Sequence, residues 1–267
     1  MDLGLDGKVA LVTGGTRGIG RAAVLALARE GVRVAFCARD AEAVKLVEKE
    51  VAAEGGTGLG VAIDLADRAA ADELVARTVD TFGDLDILVA AAGVHKIKEF
   101  ADLTDEEWDE TFEVNFFAPM RVCRAAIPHM QRKQAGHIVI VSAGSIHKPS
   151  IGPDVHPHYT AAKAAVANLG KFLSKRYGPD NIVVNTVLPG YSIRDEVQEL
   201  WANEAEAAGL SAEEHFVRMA TDIGYLPAMR RPGTPEEFAN VITFIVSDAN
   251  SFMSGVELAI DGAGLDG

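Results

Sequence analysis

Short apolar runs alternate with helix-patterned stretches along almost the whole chain, and that rhythm leaves few folds open. Residues 8–13 read KVALVT, 32–37 VRVAFC, 61–63 VAI, 86–90 DILVA, 137–141 HIVIV, 182–188 IVVNTVL and 256–260 VELAI. Such near-continuous apolar strands have no wet face and belong inside a parallel sheet covered on both sides. Between them the apolar residues fall at helical spacing, as in Val44, Val47 and Val51, or Leu74, Val75 and Val79. Helices are expected over about 18–30, 67–82, 104–130, 159–177 and 235–247. The reading is an α/β, Rossmann-like doubly wound parallel sheet, which binds ligands at the carboxyl ends of its strands. No repeat, low-complexity block or linker divides residues 1–267, so one domain is expected. The stretch 191–229 breaks the rhythm: it is rich in Glu and Ala and carries Trp201 and Phe216. It reads as a helical insertion covering the site, either a mobile lid or a rigid surface addition.

The chain's 267 residues, 48% of them apolar, can bury a substantial core. No apolar run reaches the roughly 18 residues needed to span a bilayer. The opening MDLGLDGK lacks the basic and apolar segments of a secretory signal, so a cytoplasmic protein is expected. Net charge is 25 − 39 = −14, which argues against nucleic acid or an anionic membrane as partner. Cys37 and Cys123 have no metal-ligand spacing and read as small core residues. His156 and His158 stand beside Tyr159, yet no zinc pattern accompanies them, and no metal is expected.

Two features carry chemistry. The first is Thr13-Gly14-Gly15-Thr16-Arg17-Gly18-Ile19-Gly20, between the first strand and the first helix. Glycine is required where backbone takes positive φ or closely approaches a ligand, and the N–H groups of the helix start suit a pyrophosphate. The spacing is neither GxGxxG nor a P-loop. The second is Tyr159 and Lys163, four residues apart and so on one helical face. An ammonium beside a phenol favours the phenolate, which lets the pair exchange a proton with a carbonyl or hydroxyl oxygen near neutral pH.

With Asn115 in a long helix and Pro189-Gly190 after a late strand, these motifs resemble the short-chain dehydrogenase/reductase superfamily, from about residue 6 to Gly262. The resemblance implies that Gly14, Gly18, Ile19 and Gly20 line a nicotinamide cofactor's diphosphate, with Thr16 and Arg17 also among the cofactor-binding residues. It places Asp64 and Leu65 at the adenine and Gly93 at the adenosine ribose, with Pro189, Gly190, Ser192 and Ile193 near the nicotinamide. Asp67 rather than Asp64 is expected to cap the following helix. Tyr159 becomes the general acid/base, Lys163 the ribose ligand that assists it, and Asn115 the residue that positions a relay water. A homo-oligomer, tetramer or dimer, is also implied.

NAD enzymes place a carboxylate at the end of the second strand. Here Ala38 stands there, followed by Arg39, with Arg17 in the glycine turn, and two guanidinium groups suit a 2′-phosphate. NADP(H) is therefore favoured over NAD(H), with Asp40 starting the next helix. The family serine is less plain, because thirteen residues before Tyr159 stands Ile146. Ser145 fits the spacing and Ser142 the strand end, and the reading leans to Ser145. Two further departures are Ala90-Ala91-Ala92-Gly93, where the family has Asn-Asn-Ala-Gly, and Arg194, where it often has Thr. The expected walls of the substrate pocket are His95, Lys96, residues 146–158 and residues 191–229. The expected function is reduction of a ketone or aldehyde, or oxidation of an alcohol, by hydride transfer with a small-molecule substrate. An NAD-dependent alcohol dehydrogenase and a catalytically silent nucleotide-binding protein are the alternatives.

Overall fold

A computed structural model of the chain describes residues 1–149, 156–192 and 201–265, and the helical backbone over 195–200. Seven parallel strands form one sheet in the order β3-β2-β1-β4-β5-β6-β7. They are β1 (Val9–Thr13), β2 (Arg33–Ala38), β3 (Thr57–Ala62), β4 (Ile87–Ala90), β5 (Gly136–Val141), β6 (Ile182–Pro189) and β7 (Glu257–Ile260). The helices are α1 (Gly18–Arg29), α2 (Ala41–Ala53), α3 (Ala70–Phe82), α4 (Asp105–Phe112), α5 (Ala118–Lys133) and α6 (Pro157–Tyr177). After β6 come α7 (Asp195–Ala207), α8 (Ala212–Asp222) and α9 (Pro235–Ile245).

The alternation of side chains along each strand divides the core in two. Ala10, Val12, Ile87, Val89, Val139 and Val141 face α1, α2 and α9. Leu11, Leu88, Ala90, Ile138 and Ile140 face α3, α5 and α6. The sheet is thus covered on both sides, as its uniformly apolar strands require. The chain runs outward from β1 through β2 to β3, then crosses back to place β4 on the other side of β1. A crevice opens at the carboxyl ends of β1 and β4, where the direction of winding reverses.

Three elements differ from the sequence expectation. β3 begins at Thr57, four residues before the apolar run. Its glycines are close-approach positions: a Cβ on Gly60 would lie 2.4 Å from Val44 Cγ1, and one on Gly58 3.1 Å from Val51 Cγ1. The helix α3 starts at Ala70, because Asp67 accepts the Ala69 N–H in a preceding turn and caps nothing. The helix expected over 104–130 is interrupted by a π-helical turn at Glu113–Phe117. Pro119 has no N–H to offer the carbonyl of Asn115, so regular α-helical bonding fails at this point. The stretch after β6 carries α7 and α8, and the apolar face of α8 buries Phe216 and Ala220.

One side-chain contact joins β1 to the segment after β4. The Thr13 hydroxyl, 1% exposed, accepts the N–H groups of both Ala91 and Ala92 at 3.1 Å. Thr13 thereby holds a segment that lacks the family's asparagine. Thr13→Val should destabilise the protein by about 1–3 kcal/mol, since two partly buried N–H groups lose their acceptor. Urea denaturation reads this directly, and an unchanged midpoint would show that Thr13 does not hold the segment.

Candidate active site

A cleft of about 1020 Å³ lies at the carboxyl ends of β1, β4, β5 and β6. One end is built by the glycine turn. Gly14 and Gly18 have positive φ, +69° and +52°. A Cβ on Gly14 would lie 2.8 Å from the Cα of Ala92, and one on Gly20 2.2 Å from the carbonyl oxygen of Gly14. Any side chain here would fill the cradle, so the turn packs backbone on backbone. No side chain caps α1, and no acidic residue occupies its first turn. That start faces the cleft together with Gly14, Thr16, Arg17, Gly18 and Ile19. The glycine cradle and uncapped helix start fit a dinucleotide diphosphate.

The sequence-derived positions gather around this cleft. Arg39 lines it from the end of β2, and Asp64 and Leu65 from beyond β3. Asp64 uses one carboxylate oxygen to accept the Ala66 N–H at 3.0 Å. Asp40 starts α2 as expected, accepting the N–H groups of Glu42 and Ala43. Pro189, Gly190 and Ser192 line the cleft after β6. A Cβ on Gly190 would meet the Asp261 Cα at 2.8 Å. Ile193 and Arg194 lie outside the described residues.

At the centre, α6 carries Tyr159 and Lys163 to the ends of β4 and β5, and both line the cleft. Lys163 is only 4% exposed. Its Nζ donates to the Val141 carbonyl at 2.9 Å and lies 5.7 Å from the Tyr159 ring centroid. The Ser142 hydroxyl, also buried, donates to the Lys163 carbonyl at 2.8 Å. These two bonds clip the end of β5 to α6. A Cβ on Gly93 would lie 3.3 Å from Lys163 Nζ and 2.9 Å from Asn115 Oδ1, so glycine there leaves room for both polar groups. Burial pulls the Lys163 ammonium down to about 8, because a low-polarity surround penalises the charged form.

Ser142 and Ser145 both line the cleft, with different partners. The Ser142 hydroxyl is engaged by the α6 backbone, whereas Ser145 accepts a 3.3 Å hydrogen bond from Thr160 and is only half-buried. Asn115 sits in the π-helical turn, completely buried and outside the cleft lining. Its Oδ1 accepts from the Val94 N–H, and its Nδ2 donates to the carbonyls of Val94 and Thr111. Asn115 thereby braces the strand-end segment, a role that the motif spacing did not reveal.

The histidines separate. His95 and His156 line the cleft, whereas His158 is fully buried against Trp108, with its ring centroid 6.0 Å away. Burial lowers the His158 pKa from its ordinary value. His147 is exposed and pairs with Glu257 at 2.8 Å. Cys37 and Cys123 are buried with thiols pushed up to about 12, so both are packing residues. Among the described residues no cluster of His, Cys, Asp or Glu could hold a metal, and no helix is long and apolar enough to cross a membrane. Tyr225, beyond α8, also lines the cleft, with its hydroxyl above Gly144. Sequence patterning carried no specific signal for it.

The sheet order, the glycine cradle and the Tyr–Lys pair define a nucleotide-dependent oxidoreductase of the single-domain Rossmann-like class. A model of the short chain dehydrogenase family matches residues 8–205, and the chain belongs to that family. It is 35% identical over 263 residues to the uncharacterized oxidoreductase YvrD of Bacillus subtilis, covering 98% of each chain. It is 34% identical to the L-rhamnose 1-dehydrogenase (NAD(P)(+)) of a Sphingomonas strain, covering 97% of this chain and 96% of that one. The crystal structure of L-sorbose reductase from Gluconobacter frateurii, complexed with NADPH and L-sorbose, superposes with a TM-score of 0.92. The two chains match over their full lengths at 28% identity.

Two outcomes follow from this geometry. Ser145→Ala should lower kcat with little loss of stability, whereas Ser142→Ala should lower the unfolding midpoint by loosening the β5–α6 clip. Equal losses of kcat without a stability difference would contradict the distinction. Burial of the Lys163 charge costs on the order of 3 kcal/mol at neutral pH. Between pH 8 and about 10.5 the unfolded chain holds more protons than the folded one, so the penalty fades as pH rises. Lys163→Met should therefore exceed the wild type in stability at pH 7, with the gap shrinking by pH 9.5. A pH-independent gap in urea midpoints would rule this out.

Proposed function

We propose that the chain is an NADP(H)-dependent oxidoreductase interconverting a ketone or aldehyde with an alcohol. The observation that carries this reading is the approach of Tyr159 and Lys163 within the cleft that the glycine turn opens. A bound nicotinamide dinucleotide supplies or accepts the hydride. Tyr159 gives its phenolic proton to the substrate oxygen in reduction and takes it back in oxidation. The Lys163 ammonium favours the phenolate and binds the nicotinamide ribose. The Ser145 hydroxyl, at the cleft wall, hydrogen-bonds the substrate oxygen and orients it for Tyr159. Asn115 keeps Val94 and its neighbours in place, and its carbonyl, to which Pro119 gives no N–H, supports a relay water.

The preference for NADP(H) rests on Arg17 and Arg39, both exposed at one corner of the cleft. Asp40 beside them is engaged in capping α2. Ile193 completes the nicotinamide end in this reading. The rhamnose dehydrogenase named for NAD(P)(+) and the sorbose reductase with bound NADPH add support for the cofactor and for a carbonyl/alcohol pair. The same reading has the enzyme act in the cytoplasm as a homo-oligomer, dimer or tetramer. Phe117 and Phe172, 38% and 60% exposed, support the assembly.

Nucleotide oxidation with a ketone panel tests the whole reading. NADPH should give a KM at least about tenfold below that of NADH, since two charge-assisted contacts are at stake; a clear NADH preference would reject the cofactor assignment. Tyr159→Phe should lose about 10²–10⁴-fold in kcat. It should still quench tryptophan fluorescence on binding nucleotide, and retained turnover would refute the role of Tyr159.

A further inference from the structure

Tyr225 lines the cleft on the side of Ser145, yet proton transfer leaves it without a task. It stands just after α8, where its N–H donates to the Ala220 carbonyl at 2.8 Å. Only 8% of the residue is exposed. Its hydroxyl reaches the turn that carries Ser145: a Cβ on Gly144 would lie 2.3 Å from that oxygen. The same Cβ would lie 3.3 Å from the Pro189 carbonyl oxygen and 3.6 Å from Leu265 Cδ2. The tip of Tyr225 therefore fills the gap between the end of β5, the end of β6 and the segment after β7. Glycine at 144 is what admits it.

The ring is also backed from behind. It meets Tyr191 with centroids 5.5 Å apart and planes at 73°. A Cβ on Gly264 would lie 3.3 Å from Tyr225 Cε1, so the segment after β7 lies directly against the ring. That segment is pinned to the residues after Tyr225: the Ala228 N–H donates to the Ala263 carbonyl at 3.3 Å, and the Met229 N–H to the Gly262 carbonyl at 3.1 Å. Lys148 Nζ lies 5.8 Å over the ring and donates to the Gly264 carbonyl at 3.4 Å. A ring enclosed in this way moves aside only if several segments repack. Burial and the Asp261 carboxylate push its phenol up to about 12, so Tyr225 is a neutral wall and not a second acid/base. The opposite rim differs, since the cleft-lining residues His95 and Lys96 are exposed. The substrate space is thus shut at Tyr225 and open to solvent beside His95 and Lys96.

We infer that Tyr225 is a specificity-determining residue: with its tip on Gly144 it forms the end wall of the substrate space and holds one substituent of the reacting carbonyl to a small size. The other substituent leaves toward the open rim. The substrate class is then an unsymmetrical carbonyl compound, a methyl ketone or an aldehyde, with the matching alcohol in the reverse direction. This inference rests on the oxidoreductase reading above and adds the shape of the substrate to it.

The test compares two isomers, 2-heptanone and 4-heptanone, whose smaller substituents are methyl and propyl. Wild-type kcat/KM should favour 2-heptanone by at least about tenfold, because a pocket of fixed size discriminates by about that factor for each methylene. Tyr225→Ala removes the wall and should cut this ratio about tenfold or more by raising kcat/KM for 4-heptanone. Tyr225→Phe removes only the tip oxygen, keeps the ring packed, and should cut the ratio about threefold. Comparing variant with wild type cancels the greater intrinsic reactivity of the methyl ketone. A role in stability alone would lower both ketones alike. Nucleotide Kd by fluorescence and the unfolding midpoint identify a variant that has lost its fold, and the other variant then decides the matter. An unchanged ratio or parallel losses for the two isomers would overturn the inference. So would a wild type that reduces 4-heptanone as well as 2-heptanone, or one that reduces neither while reducing another ketone. Nucleotide binding without turnover of any ketone would instead overturn the oxidoreductase reading, and this inference with it.

Discussion

The buried ammonium of Lys163 is the constraint around which the centre of the molecule is arranged. A charge so deeply enclosed is expensive, and nearby groups act to hold it. The Val141 carbonyl accepts a hydrogen bond from it, Gly93 leaves it room, and Ser142 ties the lysine's own carbonyl back to β5. Those contacts join β4, β5 and α6 at one point. Apolar packing alone would give a more stable joint. That cost places a cation 5.7 Å from the centre of the Tyr159 ring, at the wall of the cleft.

A second set of constraints is steric. The cradle exists because backbone packs on backbone: Gly14 against Ala92, and Gly20 against the Gly14 carbonyl. Thr13 sets the spacing of the two walls by binding Ala91 and Ala92. The crevice lies between strands adjacent in space but distant in sequence, so it depends on the order in which the sheet is wound. A chain with net charge −14 can still receive an anionic cofactor there. The relevant field is local, set by Arg17, Arg39 and an uncapped helix start.

The helices after β6 are joined to the cleft through aromatic contacts. Tyr191, whose ring lies 5.5 Å from Tyr225 and 5.9 Å from Phe216, links the cleft wall to the apolar face of α8. Trp201 adds a contact from α7, 5.7 Å from Phe216. Substrate-side residues are therefore carried by an element that packs on itself and on the cleft rim. Variation there can alter the substrate without disturbing the sheet.

Sequence alone determined the architecture, because an uninterrupted Val/Ile/Leu strand is stable only when both faces are covered. It also located the glycine turn and the Tyr159–Lys163 pair, whose spacings are local and follow from turn and helix geometry. Glycine-rich β3 and the broken helix around Asn115 escaped that reading. In the first, propensity yields to close packing by α2; in the second, Pro119 removes one hydrogen bond from an otherwise helical pattern. Tertiary structure alone decided that Asn115 turns inward to Val94, that Ser142 bonds the α6 backbone while Ser145 bonds the Thr160 side chain, and that His95 meets His156 across 61 residues of sequence. Those relations depend on distances between separate strands and helices, and periodicity within one segment carries no information about them.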